Sequence, residues 1–477
     1  MPSFDSSIFF STIGELNAKL RAKEFSCVEL TRAFCDRLER LGPRYNALAL
    51  PLREDAIKQA RKVDDDIKHE RLRSPLQGIP YGAKDLLSVE GQPTAWGALP
   101  FAGQVFKYNA RVIDKLAKAG SVLTGKLAMV ELAGGPTYRF AAASMTGSGL
   151  NPWDRSRWSG GSSSGSGSAV AAGLVTYALG SETSGSILTP CSFCGITGLR
   201  PTYGLVSRYG AMALSWTLDK IGPMARSAED CGIVLQAISG KDNDDPGSAG
   251  KSYYYSPQYA RQFSDLTIGY HPADFEEHAD EPARPAFRQA LEMFKTFGSK
   301  LVEVEIPEFP YGPVISTILS GEAGAIFEDL IQSGQVDKLA DAKQIAGLKA
   351  SQEVLAKDYL KAMRIRALIQ DAFRTLFSRV DVLLSPARNG VASKVSEPLD
   401  GGGRGSAATP KSRGLQGLIP AANLAGLPAL CLPCGFADNL PVAISVVGRP
   451  FAENTLLAYG NEYQKKTDWH RRKPPVE

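Results

Sequence analysis

Two stretches rich in glycine and serine carry the residue types that serine-based catalysis requires. The first covers residues 159–168 and the second residues 180–186, with an apolar, alanine-rich segment between them. Flexible linkers share this composition, but a linker would not continue directly into an apolar segment. A nucleophilic serine needs a base that accepts its proton and backbone donors for the oxyanion. The pattern therefore favours an enzyme in which a serine attacks a carbonyl group.

A phosphate-binding loop is the main alternative interpretation of these glycines. The tract has no Gly-Lys-Ser/Thr ending, and Gly165-x-Gly167 lacks the third glycine of a dinucleotide loop. The sequence therefore does not favour nucleotide binding.

The base that would activate the serine is a lysine in our interpretation. Burial can make a lysine neutral and therefore basic. Lys84 follows the apolar residues 79–83, where a strand would leave the core, although a solvated lysine at a strand end fits the same pattern. The four histidines lie in charged or acidic segments, so we expect them to be surface residues and not bases: His69, His271, His278 and His470.

The elements that would position these residues alternate between helical and strand patterns. Short apolar runs bounded by Gly or Pro begin near Gly78, and helical patterns separate them. This alternation predicts an α/β sheet covered by helices on both faces. The predicted strands are residues 79–83, 121–124, 174–179, 267–270, 301–304, 380–384 and 442–447.

The first 75 residues have the pattern of surface helices. Thr12 with Glu15, and Ser26 with Glu29, have the spacing of capping boxes. A third, strongly charged helix fits residues 53–69, and a long amphipathic helix fits residues 355–380. Four glycines among residues 401–405 indicate a flexible loop. Such loops often line the entrance of an enzyme site.

The overall composition excludes some classes of protein. The 477 residues have a net charge of only +4, which argues against a nucleic-acid binder. No apolar stretch approaches the ~20 residues of a membrane span. The N-terminus lacks a basic region before an apolar run, so we expect a cytoplasmic protein.

Seven cysteines include two C-x-x-C pairs, Cys191/Cys194 and Cys431/Cys434. Together the pairs have the ligand count of a structural zinc site. They lie far apart in the sequence and in apolar surroundings, which favours buried thiols that act as small hydrophobic side chains.

With Lys84 and the two serine tracts, the sequence resembles the amidase signature family, the Ser–cis-Ser–Lys amide hydrolases. The resemblance covers roughly residues 10–470, and an ordered series of motifs is more specific than any single motif. The similar segments are residues 124–133, 151–154, 193–204, 219–226, 423–430 and 440–450.

The resemblance implies an α/β, amidase-signature fold, with a central mixed sheet covered by helices on both faces, and a single amidase domain over residues 1–477. It also implies a set of site residues. The domain would comprise peripheral helices (1–75), the signature core (76–235) and the rest of the sheet with a helical substrate side (236–477). Lys84 would be the base, Ser162 the relay after a cis peptide bond from Gly161, and Ser186 the nucleophile. Backbone N–H groups of Thr183, Ser184, Gly185 and Ser186 would form the oxyanion hole, and Met129, Gly134, Gly135 and Leu188 would contact substrate. No metal or cofactor is implied.

The nucleophile loop departs from the family pattern Asp-x-Gly-Gly-Ser-Ile-Arg. This chain has Glu182, Ser184 and Leu188 where the family has aspartate, glycine and arginine. From this we predict a lost ionic contact at the loop. Leu188 would either add apolar surface near the nucleophile or fill the core behind the loop.

The function that the resemblance implies is hydrolysis of small amides, anilides or carbamates, the last being urethanase activity. The partner would be a small molecule, without nucleic acid or membrane, and the chain would be a monomer or homodimer. The alternative is the glutaminase (A) subunit of an aminoacyl-tRNA amidotransferase, which residues 207–213 also resemble. That function needs protein partners, tRNA and a cationic residue near the nucleophile. The retained Lys84, Ser162 and Ser186 argue against an inactive binding protein.

Overall fold

The computed structural model describes residues 4–399 and 413–476. The loop predicted at residues 401–405 lies outside the described residues. The strands are β1 (Leu48–Pro51), β2 (Pro80–Lys84), β3 (Val122–Leu127), β4 (Leu150–Asn151), β5 (Asp154–Trp158), β6 (Tyr177–Glu182), β7 (Thr197–Arg200), β8 (Lys220–Ala225), β9 (Thr267–Tyr270), β10 (Lys300–Glu303), β11 (Val382–Pro386), β12 (Ala429–Ala437) and β13 (Leu440–Gly448).

One large mixed sheet contains eleven of the described strands. Its order is β1-β3-β2-β6-β8-β7-β12-β13-β11-β9-β10, while β4 and β5 form a separate pair. Strand β2 runs parallel to both β3 and β6, whereas β6 and β8 are antiparallel. The long strands β12 and β13 are also antiparallel. The sheet therefore confirms the mixed α/β class predicted from the sequence.

The α-helices of the described residues are α1 (Ile13–Arg21), α2 (Cys27–Leu41), α3 (Arg53–Lys68), α4 (Arg111–Ala119), α5 (Ser164–Ala171), α6 (Leu188–Cys194), α7 (Ala228–Ile238), α8 (Pro272–Phe275), α9 (Arg284–Lys295), α10 (Tyr311–Ile326), α11 (Glu328–Gln332), α12 (Ala342–Ala350), α13 (Ala356–Leu376), α14 (Leu418–Leu424) and α15 (Glu453–Lys466).

Helices cover both faces of the sheet, which the side chains of β12 make clear. Leu430 and Leu432 belong to one buried cluster, with residues of α1, α3, α4, α7, α9 and α15. Ala429 and Cys431 belong to another, with residues of α5, α6, α10, α13 and α14. Successive strand residues point to opposite faces, so the two clusters are the two sides of the sheet.

The seven predicted strands are all present within a few residues of their predicted bounds. The strand predicted at residues 174–179 is displaced by three residues at both ends, since β6 covers Tyr177–Glu182. Residues 173 and 174 instead close helix α5: Gly173 has φ 66°, and the N–H of Leu174 donates to the carbonyl of Ala169. This is a helix-ending geometry that glycine adopts readily.

The N-terminal region contributes more to the fold than surface helices. Both predicted capping boxes are formed, at the starts of α1 and α2. The prediction missed β1, which pairs antiparallel with β3 and forms one edge of the large sheet. In addition, the N–H of Ile13 donates to the buried carboxylate of Asp230 at 3.0 Å. The region is thus joined to the core by a strand and by a buried hydrogen bond.

The seven cysteines are buried free thiols, which confirms that part of the sequence interpretation. Cys191 and Cys194 lie in α6, and Cys431 and Cys434 lie in β12. Burial raises the pKa of each of these thiols well above its ordinary value. Within residues 4–399 and 413–476, no helix has the length and apolar character of a membrane span.

Candidate active site

Lys84 is the last residue of β2, a strand buried between β3 and β6. Its side chain is fully buried, and its Nζ donates to Oγ of Ser162 at 2.7 Å and to Oγ of Ser181 at 2.9 Å. Burial lowers the pKa of Lys84 from the ordinary 10.5 to about 7, although Asp219 and Glu182 act in the opposite direction. The amine can therefore be neutral near neutral pH.

Ser162 lies just before α5, in the first serine-rich tract. The peptide bond from Gly161 to Ser162 is cis, as the family resemblance predicts. Gly160 has φ +87°, and a Cβ there would lie 2.6 Å from the backbone of Pro190. Glycine is therefore required for this tract to pack against α6.

Ser186 lies in the loop between β6 and α6, and its side chain is partly exposed. The N–H of Ser163, next to Ser162, donates to the carbonyl oxygen of Ser186 at 3.3 Å, which ties the two serine-rich tracts together. Ser186 lines a cavity of about 310 Å³. Gly161, Thr183 and Ser184 line the same cavity, so residues of both tracts face one space.

The carboxylate of Glu182 fixes the loop that contains Ser186 through hydrogen bonds to the backbone that follows it. Its Oε2 accepts from the N–H groups of Ile187 and Leu188, at 2.9 and 3.1 Å. Its Oε1 accepts from Arg200 at 2.7 Å and from Asn423 at 2.9 Å. Burial would raise the pKa of Glu182, but Arg200 and Asn423 outweigh it and lower the pKa to about 2. The predicted loss of an ionic contact is wrong, because Arg200 in β7 supplies the cation.

The four residues predicted to contact substrate are not brought together. Gly134 and Gly135 line the cavity at Ser186. Leu188 is only 1% exposed and lines a separate cavity of about 330 Å³, and Met129 is fully buried. Neither is among the residues that line the cavity at Ser186.

Three residues near the site were not identified in the sequence. Ser181 is the second partner of the Lys84 amine, and its place in the serine tract already singled out was the only signal for it in the sequence. Asp219 accepts from the hydroxyl of Thr183 at 2.6 Å. Arg388 lines the cavity at Ser186 and follows β11, far away in the sequence. Asp219 begins one of the segments similar to the family, residues 219–226, but was not assigned a role there. No local pattern marked Arg388.

The histidines are not part of this site. None of the four, all within the described residues, lines the cavity at Ser186. Two of them, His278 and His470, are buried, with exposed fractions of 7% each, and the prediction that they are surface residues is wrong. His278 contacts Asp274 through Nδ1 at 2.9 Å, and burial lowers the pKa of His470 to about 4.

The site combines a buried lysine, a serine after a cis peptide bond and a second serine that lines a cavity. A match to a known protein family agrees with this combination. The model described as Amidase matches residues 29–457. This chain belongs to the amidase family. Members of the amidase family hydrolyse carbon–nitrogen bonds, so the chain is an enzyme of that class.

Curated relatives similar to this chain are named as subunits of a larger enzyme. The glutamyl-tRNA(Gln) amidotransferase A-subunit of Dechloromonas aromatica is 37% identical over 490 residues, which cover 97% of this chain and 99% of that one. The protein of the same name from Chloroflexus aggregans is 36% identical over 496 residues, covering 99% of both chains. Both relatives bear the name of the enzyme subunit that was the alternative hypothesis from the sequence.

Solved structures similar to this chain include an amidase and an amidotransferase A-subunit. The peptide amidase from Stenotrophomonas maltophilia has a TM-score of 0.82 and 30% identity, over 98% of both chains. The glutamyl-tRNA(Gln) amidotransferase A-subunit from Thermotoga maritima has a TM-score of 0.77 and 28% identity, over 98% of this chain and 97% of that one.

Proposed function

We propose that this chain hydrolyses the C–N bond of small amides, anilides or carbamates through an acyl-enzyme on Ser186. The observation that carries the proposal is the 2.7 Å contact between Nζ of Lys84 and Oγ of Ser162. Among the described residues, no carboxylate forms an ion pair with this lysine. A lysine that contacts only hydroxyl groups and has a lowered pKa is suited to accept a proton.

The reaction would use the lysine and the two serines in sequence. Neutral Lys84 accepts the proton of Ser162, and Ser162 accepts that of Ser186. The Ser186 oxygen then forms a bond to the substrate carbonyl carbon. The proton returns through Ser162 to the leaving nitrogen as the C–N bond breaks. Water releases the acid product by the same proton path in reverse.

Stabilisation of the tetrahedral intermediate would come from the backbone of residues 183–186. These N–H groups belong to a loop that Glu182 fixes through Ile187 and Leu188. Donors that are held before reaction need no reorganisation when the oxyanion forms. The side chain of Ser184 is exposed, so it does not compete with this use of the backbone.

A second candidate function is that of the glutaminase component of an aminoacyl-tRNA amidotransferase. Two observations favour it: the near full-length similarity to subunits with that name, and the position of Arg388 on the cavity at Ser186. A guanidinium at that place is suited to a carboxylate on the substrate. This function would require protein partners and tRNA.

Hydrolysis by the purified chain, without added proteins, distinguishes the two. The substrates are a small aliphatic amide, an anilide, an aryl carbamate and glutamine. We expect turnover of the first three by the chain alone. Glutamine hydrolysis that appears only when partner subunits are added would establish the second candidate. No C–N hydrolysis under either condition would contradict both.

A further inference from the structure

A second cavity shares a wall with the one at Ser186. Its volume is about 630 Å³, against about 310 Å³ for the first. Ala133, Thr183 and Leu214 line both. Both volumes fall within or near the range of small-molecule sites in proteins. The larger cavity therefore has room for a substantial part of a ligand whose reacting bond lies at Ser186.

The wall of the larger cavity touches the catalytic machinery directly. Ser181 lines it, and Oγ of this serine accepts from Nζ of Lys84 at 2.9 Å. Thr183, the first residue of the proposed oxyanion loop, also lines it. A group bound in this cavity would thus be separated from the base by Ser181 and would lie against Thr183, one of the proposed oxyanion donors.

The chemistry of the wall is that of an apolar site. Leu86, Met212 and Ile221 contribute aliphatic surface, and aromatic rings add to it. The charged residues of the wall already have partners within the protein. Arg208 donates to Asp245 at 2.7 Å, and Asp219 accepts from Thr183 at 2.6 Å. A ligand therefore meets little unsatisfied charge here.

Three aromatic side chains, Tyr203, Tyr209 and Trp216, line the same cavity. Trp216 is 52% exposed, which is unusual for the largest apolar side chain. Its carbonyl accepts from the hydroxyl of Tyr203 at 2.7 Å, so its backbone is held while its indole remains accessible. An accessible indole beside an apolar cavity provides a face for stacking with an aromatic group.

We propose that this cavity binds an uncharged aryl or branched alkyl group of the substrate, carried on either its acyl or its amine part. The inference rests on the proposed function and narrows its substrate class. It also replaces Leu188, which lies outside both cavities, as the source of apolar specificity. A compact polar amide would leave most of the cavity empty and lose the contact with Trp216.

Binding and turnover are measured with matched compounds. Calorimetry with Ser186→Ala follows binding of an anilide and of the aliphatic amide with the same acyl group. Turnover of wild type and Trp216→Ala is followed on an amine series and an acyl series, each running from methyl to phenyl. Tyr259→Ala is the control for the loss of an exposed aromatic side chain, because Tyr259 is 84% exposed and does not line this cavity.

The expected result is binding of the aryl compound at least ~10-fold tighter than its aliphatic match, which corresponds to about 1.4 kcal/mol. Trp216→Ala should lower the aryl-to-methyl ratio of kcat/KM by about tenfold in one of the two series. That series identifies whether the acyl or the amine part occupies the cavity. Tyr259→Ala should leave the ratio unchanged.

Equal binding of aryl and aliphatic compounds, or an unchanged ratio in both series, would overturn the inference. The calorimetric measurement does not depend on turnover. It therefore separates failure of this inference from failure of the proposed function, which would appear as no hydrolysis by the wild-type chain or as full hydrolytic activity in Ser186→Ala.

Discussion

Nζ of Lys84 and Oγ of Ser162 lie 2.7 Å apart, and both side chains are almost completely buried. Two other lysines of the described chain, Lys126 and Lys220, are also nearly inaccessible. Lys126 differs in having a carboxylate partner, Asp85, at 2.8 Å. Lys84 contacts the hydroxyl groups of Ser162 and Ser181, and no carboxylate of the described residues forms an ion pair with it. We therefore expect Lys84 and Lys126 to respond differently to substitution and to pH.

Replacing Lys84 with Met should abolish amide hydrolysis without destabilising the fold near neutral pH. The change removes an amine that is costly to bury when protonated. Lys126→Met is the matched control, since it leaves the buried Asp85 carboxylate without its cationic partner and should cost about 3–5 kcal/mol of unfolding free energy. Chemical denaturation measures both variants. A large loss of stability in Lys84→Met would contradict this account.

The rate of hydrolysis should rise with pH and level off above about 7, the pKa to which burial lowers Lys84. Only the neutral amine accepts a proton, so the active fraction grows as pH increases through that value. The pH profile of kcat/KM measures this directly. A profile that is flat between about pH 6 and 8, with a substrate that does not titrate there, would argue against Lys84 as the base.

Ser186→Ala should lower kcat by on the order of 10⁴-fold or more. A sulfonyl fluoride or aryl phosphonate should label Ser186 and neither Ser162 nor Ser163, as peptide mapping would reveal. Ser159→Ala, from the first serine tract, is the control for removing a hydroxyl nearby. An acyl adduct on the Ser186→Ala protein would exclude Ser186 as the nucleophile.

The stability that Glu182 provides should disappear in acid. The folded-state pKa of Glu182 is lowered from its ordinary 4.5 to about 2. Its contribution is therefore complete above about pH 4.5 and is lost as pH falls through about 2. Glu182→Gln should flatten the stability profile in this window. If wild type and variant lose stability in parallel there, another carboxylate is responsible.

Leu188→Ala should destabilise the protein by about 2–5 kcal/mol and leave the preference between an anilide and glutamine unchanged. Leu188 is 1% exposed and does not line the cavity at Ser186, so its role is packing. Leu214→Ala is the contrasting variant because Leu214 lines both cavities, and it should change the preference. A changed preference in Leu188→Ala would restore this residue as a specificity determinant.

Much of the fold could be predicted from the sequence because strands such as β9 and β13 are short apolar runs between Gly, Pro or polar residues. Strand β1 was missed because residues 48–51 end in a proline and border a strongly charged helix. Its place at the sheet edge explains why that proline is tolerated.

The site was predictable where chemistry is concentrated in local motifs and not where it depends on distant contacts. Lys84 and Ser162 stand in recognisable segments, and they meet because β2 and the start of α5 lie together. The Glu182–Arg200 pair escaped prediction because its cation comes from β7 and not from the nucleophile loop. Similarly, no pattern near Asp219 indicated its hydrogen bond to Thr183.

The attachment of the N-terminal region to the core limits how far the protein can be shortened. A fragment designed on the family match would begin at residue 29, inside α2. It would lack the capping box of that helix and all of α1. It would also leave the Asp230 carboxylate without the N–H of Ile13, in a place where burial already raises its pKa to about 7. A shortened form of the protein should therefore still include Thr12, the residue that caps α1.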